Sequence, residues 1–206
     1  TNGKTTTVSL ITEILSKEKN VLKSGNIGIP FSKIVLENKL YGTNDYDYCI
    51  LELSSFQLDH CTTLKKEISV FLNISVDHLD RYSSFDEYFK TKLKIFENAK
   101  HCLFNYDDDM LRKKVYNSNL NLLPFSITKE KGKYFLDKNK IYSNDFSMSL
   151  NIDKISLKGI HNISNIILAT EIANKVGIRK DNICKAISEF EGLEHRFECF
   201  FTKNGI

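Results

Sequence analysis

The chain opens with Thr1-Asn2-Gly3-Lys4-Thr5-Thr6-Thr7 and runs directly into residues 8–15, an apolar stretch with helical spacing. A Gly-Lys-Thr unit at a helix start offers backbone N–H groups, a cation and a hydroxyl to one chain of phosphates. The stretch therefore reads as a phosphate-binding loop, and the first ligand class it points to is a nucleotide. Lys4 suits the β- and γ-phosphate oxygens, and the Thr5 hydroxyl suits Mg²⁺, which prefers oxygen donors. The plainer alternative is an ordinary helix start. Such a loop usually follows a buried strand. With no strand, initiator Met or glycine ahead of Thr1, the chain is expected to be an internal piece of a longer protein.

Beyond the loop, helical spacing continues to about residue 17, residues 24–30 form a turn-rich loop, and a short helix follows at 31–37. Tyr48-Cys49-Ile50-Leu51-Glu52-Leu53 reads as a buried strand and Ile68-Ser69-Val70-Phe71-Leu72-Asn73-Ile74 as a second. Both run into polar clusters, Glu52-Leu53-Ser54-Ser55 and Ser75-Val76-Asp77-His78. In an open parallel sheet, ligands gather beyond the carboxyl ends of the strands, which is where these clusters fall. A helix is expected over 84–98, with Phe85, Tyr88, Phe89, Leu93 and Phe96 on one side and a capping box between Ser84 and Glu87. A strand at 101–105 and a helix at 107–116 come next. From 120 to 157, β-prone runs at 122–127, 133–136, 140–142 and 147–152 alternate with turn residues, as in an antiparallel hairpin or meander. Helices at 162–176 and 180–190 follow, the first ended by Gly177, and 196–202 is strand-like. The fold class is α/β: a mostly parallel sheet of the phosphate-loop type flanked by helices, with a small antiparallel β subsection.

With 206 residues and 41% hydrophobic content, the chain can bury a substantial core. Its 29 basic and 26 acidic residues leave a net charge of +3, which gives no electrostatic footprint for nucleic acid. No run approaches the ~20 apolar residues that span a bilayer, so no membrane insertion is expected. Cys49, Cys61, Cys102, Cys184 and Cys199 are odd in number and include no Cys-x-x-Cys pair. That pattern argues against a disulfide framework and a zinc site, and fits a reducing cytoplasm.

Several other residues carry two readings each. Glu52 ends an apolar strand, where a carboxylate is costly to bury without a cation, so either a magnesium partner or a solvent-facing strand end explains it. His78 lies among Asp77, Asp80 and Arg81, and either binds metal or hydrogen-bonds an aspartate. Lys92 reads locally as a snorkelling surface lysine. Asn162 and Asn165 either read an adenine edge or cap a helix. Arg196 either neutralises phosphate or forms an ordinary ion pair.

In this order, Thr1-Asn2-Gly3-Lys4-Thr5-Thr6, Gly25-Asn26-Ile27-Gly28, Glu52-Leu53-Ser54-Ser55-Phe56-Gln57-Leu58, Asn73 with Asp77-His78-Leu79-Asp80-Arg81, residues 88–99, Gly159-Ile160-His161-Asn162 with Asn165, and Glu194-His195-Arg196-Phe197-Glu198 resemble the Mur ligase family of peptidoglycan synthesis. The resemblance covers nearly the whole chain. Its Glu-Leu-Ser-Ser-Phe-Gln-Leu and Gly-Asn-Ile-Gly segments look most like the members that add D-glutamate to UDP-N-acetylmuramoyl-L-alanine. It implies that residues 1–206 are a central ATP-binding domain, truncated at both ends, with an N-terminal UDP-binding domain and a C-terminal ligase domain outside the chain.

The resemblance also implies an ATP-dependent amide ligase working through an acyl phosphate, with Lys4, His78 and Lys92 as catalytic residues. ATP would be held by Thr1, Asn2, Gly3, Lys4, Thr5, Thr6, Asn162, Asn165 and Arg196. Two Mg²⁺ ions are implied, the first on Thr5 and Glu52, the second on His78 and on Lys92 converted by CO₂ to a carbamate. Asn26, Ser54, Ser55 and His78 would contact the muramoyl substrate. The expected partners are UDP-N-acetylmuramoyl-L-alanine and D-glutamate, the expected state is a monomer, and the piece alone is expected to be inactive. The alternatives are another amino-acid-adding Mur ligase, a folylpolyglutamate synthase, or a nucleotide-binding module without catalysis. The segments at 52–57 and 77–81 point away from the folate enzyme, and Lys4, Glu52, His78 and Lys92 together point away from a pure binder.

Overall fold

Leu10, Ile11, Ile14 and Leu15 recur three and four residues apart, and they form the buried face of helix α1 (Lys4–Leu15). The computed structural model describes residues 2–37, 45–77, 81–116, 120–144 and 147–193. The α1 face packs on helix α6 (Ile160–Lys175), whose residues Ile166 to Ala169 are apolar and wholly buried, and on helix α7 (Lys180–Glu189). The expected helices all appear, but the one forecast over 84–98 is α-helical only from Phe85 to Leu93 and continues as a 3₁₀ turn over Lys94–Phe96; Gly177 ends α6 with a positive φ of 84°.

Strands β1 (Val21–Gly25) and β2 (Tyr48–Glu52) pair in parallel, with Val21 opposite Tyr48 and Gly25 opposite Glu52. Strands β3 (Lys66–Phe71), β4 (Ala99–Asn105) and β5 (Leu123–Phe125) form a second parallel set in that order. Strands β6 (Tyr134–Asp137), β7 (Lys140–Ser143) and β8 (Ser149–Asn151) make the small antiparallel sheet.

The β3–β5 set is covered on both faces, and the alternation of side chains shows how. Ile68 and Val70 of β3 and Leu103 of β4 join the cluster built on α1 and α6. Phe71 and Phe104, one residue out of phase, join a second cluster with Tyr88 and Phe89 of helix α4 (Phe85–Leu93) and Leu111 of helix α5 (Asp109–Tyr116). Burial on both faces is why consecutive apolar residues, Val70 with Phe71 and Leu103 with Phe104, stand in the later halves of these strands.

Three readings are corrected. A strand forms at β1, where the sequence gives a mixed Val-Leu-Lys-Ser-Gly run with only Ser24 fully buried. The run at 122–127 leaves the meander and supplies β5 to the parallel set, because its Phe125 is needed in the core beside Leu103. The capping box at Ser84 is half formed. Ser84 Oγ accepts the Glu87 N–H at 3.2 Å, but the Glu87 carboxylate instead accepts from the N–H and hydroxyl of Ser83. A complete box stands at Ser54 and Gln57, which starts the short helix α3 (Ser55–Leu58). The run at 196–202 lies outside the described residues.

Among the described residues, β2 and β3 do not pair. They face each other across a groove of about 940 Å³ that runs from Asp47 and Lys66 at one end to Lys4, Glu52 and Lys92 at the other. Also among the described residues, no helix is long and apolar enough to cross a membrane. The α1–α6 contact should dominate stability. Ile166→Ala is expected to lower the unfolding free energy by about 2–5 kcal/mol in urea titrations, whereas Lys33→Ala on the exposed helix α2 (Phe31–Glu37) should change it by less than about 0.5 kcal/mol.

Candidate phosphate-loop site

Helix α1 starts at Gly3, whose φ of +82° is left-handed and where a Cβ would stand 3.1 Å from Asn165 Nδ2. Both conditions call for glycine. No side chain caps this helix start and its first turn carries no acidic residue, so its positive end stays available to an anion.

The loop is tied on two sides. On one, Asn2 N–H donates to Asn73 Oδ1 at 2.9 Å, and Asn73 Nδ2 donates back to the Asn2 carbonyl at 2.8 Å. The Asn73 carboxamide thus reads the backbone of Asn2 as a neighbouring strand would. On the other, Thr5 Oγ1 donates to Glu52 Oε2 at 2.8 Å. Glu52 is only 4% exposed, and its second oxygen, Oε1, lies 3.4 Å from Asn26 Nδ2. The Asn26 N–H also donates to the Glu52 carbonyl at 2.8 Å. Gly25 permits this close approach: a Cβ there would fall 2.1 Å from the Glu52 carbonyl oxygen, and its φ is +128°.

Lys92 is 8% exposed, so the surface-lysine reading is wrong. Its ammonium lies 5.5 Å from the centre of the Phe71 ring and 5.3 Å from that of Tyr88. Burial pulls its pKa down from 10.5 to about 8; the Lys4 charge adds to the fall and Asp77 opposes it. The spacing held a signal for this: Lys92 is four residues after Tyr88 and three after Phe89, which puts it on the buried stripe of α4.

The donors present fit a hard divalent cation. A hydroxyl and a buried carboxylate converge at the start of a phosphate loop, and Mg²⁺ commonly takes one or two carboxylates with substrate phosphates and waters. Among the described residues no group of three or more His, Cys, Asp or Glu gathers.

The other expected residues separate. Gly3, Lys4, Thr5 and Thr6 lie at the α1 start, with Asn2 immediately before it. Asn165 is buried against Gly3, within 3.5 Å of Asn162 Oδ1. Neither asparagine caps α6: the cap position is Gly159, and Asn162 Nδ2 donates to the Lys158 carbonyl. Ser54 Oγ accepts the Gln57 N–H as the cap of α3, and Ser55 is buried. Thr1, His78 and Arg196 lie outside the described residues. Asn73 was not singled out as a site residue; its position just past an apolar strand, level with the loop, is the feature that marks it.

Two outcomes follow from these contacts. Asn73→Ala removes both ties to Asn2 and should weaken binding of a nucleotide triphosphate several-fold in calorimetric titration, with the unfolding midpoint little changed because the contact is exposed. For Lys92, the folded chain releases the proton near pH 8 while the unfolded chain holds it to about 10.5. Stability in CO₂-free buffer should therefore rise with pH across that window and carry the full penalty below it. Lys92→Met should raise stability at pH 7 by about 1–3 kcal/mol and abolish that rise, as read from denaturant unfolding at pH 7 and pH 10.

A model of the Mur ligase middle domain matches residues 1–173. The UDP-N-acetylmuramoylalanine--D-glutamate ligase of Rickettsia prowazekii is 36% identical over 216 residues, covering 100% of this chain and 46% of that protein. The enzyme of the same name from Bacteroides fragilis is 37% identical over 214 residues, covering 100% and 47%. The chain thus spans about half the length of the curated relatives it matches. Among solved structures, a UDP-N-acetylmuramoyl-L-alanyl-D-glutamate--2,6-diaminopimelate ligase superposes with a TM-score of 0.73 at 23% identity, covering 94% of this chain and 45% of that one. A MurF ligase from Thermotoga maritima in complex with ADP superposes with a TM-score of 0.71 at 21% identity, covering 96% and 48%.

Proposed function

The chain belongs to the Mur ligase family, and on that premise we propose that it is the ATP-binding domain of a ligase that adds D-glutamate to UDP-N-acetylmuramoyl-L-alanine in peptidoglycan synthesis. The observation that carries this reading is the hydrogen bond of Thr5 to the buried Glu52 directly beneath the phosphate loop, with buried Lys92 at the same end of the groove. The relatives named for that reaction, 36% and 37% identical across the whole chain, support D-glutamate as the amino acid added. The parent protein would hold an N-terminal UDP-binding domain and a C-terminal ligase domain beside residues 1–206.

In this reading the N–H groups at the α1 start and the Lys4 ammonium bind the β- and γ-phosphates of ATP. Asn165, against Gly3, and Asn162 border the nucleotide, with Thr1, Asn2, Thr6 and Arg196 completing its contacts. Thr5 and Glu52 would hold one Mg²⁺, and His78 with the Lys92 carbamate a second. These ions supply charge neutralisation that lets a carboxylate approach the triphosphate. Lys92 is suited to carbamate formation because its burial favours the neutral amine, the form whose lone pair attacks CO₂, and the product is an oxygen donor. Asn26, Ser54, Ser55 and His78 orient the muramoyl substrate.

The L-alanyl carboxylate attacks the γ-phosphorus and ADP leaves, giving an acyl phosphate. The D-glutamate amine attacks the acyl carbon, phosphate departs, and the amine proton passes to a base. A monomer in a reducing cytoplasm completes the reading. The reducing cytoplasm is supported by free thiols at Cys49, Cys61, Cys102 and Cys184; burial pushes the pKa of Cys49 up to about 11 and also raises those of Cys102 and Cys184.

Phosphate release by the full-length protein tests the reading. It should require ATP, UDP-N-acetylmuramoyl-L-alanine and D-glutamate together; turnover that prefers another amino acid or precursor would refute the assignment. Lys4→Ala should lower turnover by about 10²-fold or more. Lys92→Ala should do the same, and removal of CO₂ should slow the unsubstituted protein but leave the Lys92→Ala residual rate unchanged.

A further inference from the structure

Strand β3 keeps its pairing with β4 only as far as Phe71, opposite Phe104. Asn73, which holds Asn2 at the phosphate loop, stands past that point, and Ile74 follows it. A backbone beyond the end of its ladder needs another partner if a side chain on it is to keep its place. Asp108, 34 residues from Ile74 along the chain, is that partner: its Oδ2 accepts the Ile74 N–H at 3.0 Å.

Asp108 is itself fixed. It immediately precedes α5, where its Oδ1 accepts the Leu111 N–H at 2.8 Å and its carbonyl accepts the Arg112 N–H at 2.8 Å. One carboxylate oxygen thus caps the helix while the other reads the Ile74 backbone. Behind the carboxylate, Leu111 and Ile74 are both buried in the cluster that holds Phe71 and Phe104. Asp107 serves the opposite neighbour: its Oδ2 accepts the Ile127 N–H at 2.7 Å and its Oδ1 the Ser126 hydroxyl at 2.6 Å. Two consecutive carboxylates past the end of β4 therefore hold the chain leaving β3 on one side and the chain leaving β5 on the other.

We propose that Asp108 is a positioning residue for nucleotide binding, acting through Ile74 and Asn73 on Asn2 and so on the N–H groups of the phosphate loop, a role that rests on the nucleotide reading of that loop. The path is short. Asp108 accepts from Ile74, the next residue back is Asn73, and its carboxamide makes both bonds to Asn2, which directly precedes Gly3 and the α1 start. A helix cap alone needs one acceptor oxygen, and Ser, Thr or Asn supplies it as well as Asp does. Two N–H groups from separate segments need two acceptor oxygens, which is what a carboxylate offers and a hydroxyl does not.

That difference sets the test, made on the full-length protein. Asp108→Ser keeps a capping oxygen for α5 but leaves the Ile74 N–H without its acceptor. Calorimetric titration with MgATP should then give a Kd raised by about 3- to 10-fold. In an Asn73→Ala background the same substitution should add nothing, because the path it acts through is already cut. Asp107→Ser, which touches only the β5 side, should leave the Kd unchanged. Linkage supplies a reciprocal readout on the unsubstituted protein: if the Ile74 bond favours the nucleotide, MgATP must strengthen that bond and slow exchange of the Ile74 amide.

An unchanged Kd in Asp108→Ser overturns the proposal, as does a loss that adds to that of Asn73→Ala, an equal loss in Asp107→Ser, or an Ile74 amide indifferent to MgATP. Without nucleotide, Asp108→Ser should also speed exchange of the Asn2 amide, which donates to Asn73. An Asn2 amide that does not respond refutes the path whether or not the loop binds nucleotide. Lys4→Ala without effect on MgATP binding would instead refute the nucleotide reading, so the two failures are distinguishable.

Discussion

The loop before α1 is tied to the strand end on each side of it, and the arrangement of the site depends on that double attachment. Asn73 holds the backbone of Asn2 from the β3 side, and Glu52 holds the hydroxyl of Thr5 from the β2 side. The neutral bonds of Asn73 contribute only about 0.5–1.5 kcal/mol each net, and the bond of Thr5 to the Glu52 carboxylate about 1.5–3 kcal/mol. Those energies are too small to place a helix. The placement comes from the apolar face of α1 against α6, where Leu10, Ile14 and Ile166 are wholly buried. With α1 held there, the polar ties need only select one loop conformation among the few that the helix start permits. Gly3 and Gly25 then serve the same end by opposite means, one adopting a backbone few residues tolerate and the other letting β1 pass against the Glu52 carbonyl.

Much of this was legible in the sequence, for identifiable reasons. The Gly-Lys-Thr loop before a helical apolar stretch marked α1, and the largely apolar runs at 48–53 and 68–74 marked strands close to β2 and β3, although β2 proves only half-buried, with Cys49 exposed. β1 was hidden because its Val-Leu-Lys-Ser-Gly run has no periodicity of its own, and its pairing with β2 defines it. β5 was visible as a strand but assigned to the wrong sheet, since three residues carry no record of which neighbour they will meet. Glu52 could be nominated from its place at a strand end. Its contact with Thr5, 47 residues away, is a product of topology and is written in neither segment alone. Asn73 eluded the reading for the same reason: a single asparagine after a strand is common, and what distinguishes this one is the backbone of Asn2, 71 residues away.

Lys92 shows how local reading and tertiary context can conflict. A lysine near the end of an amphipathic helix is usually a solvated one, and that expectation outweighed the spacing that puts Lys92 on the stripe of Tyr88 and Phe89. Burying a cation there raises the energy of the fold, and Lys4 makes it worse. Such a local conflict is expected where function, and not stability, sets the side chain.

The manner of burial matters as much as its cost. The faces of Phe71 and Tyr88 flank the Lys92 ammonium and hold the side chain through weak cation–π contacts of roughly 0.5–2 kcal/mol. Asp77 does pull toward the charged form, yet burial outweighs it and the pKa settles at about 8. The aromatic pair therefore helps to place the nitrogen, while burial shifts its proton equilibrium toward the neutral amine. That combination suits a group that must be both positioned and convertible to a neutral nucleophile, which is the requirement the proposed carbamate places on this residue and which no surface lysine would meet.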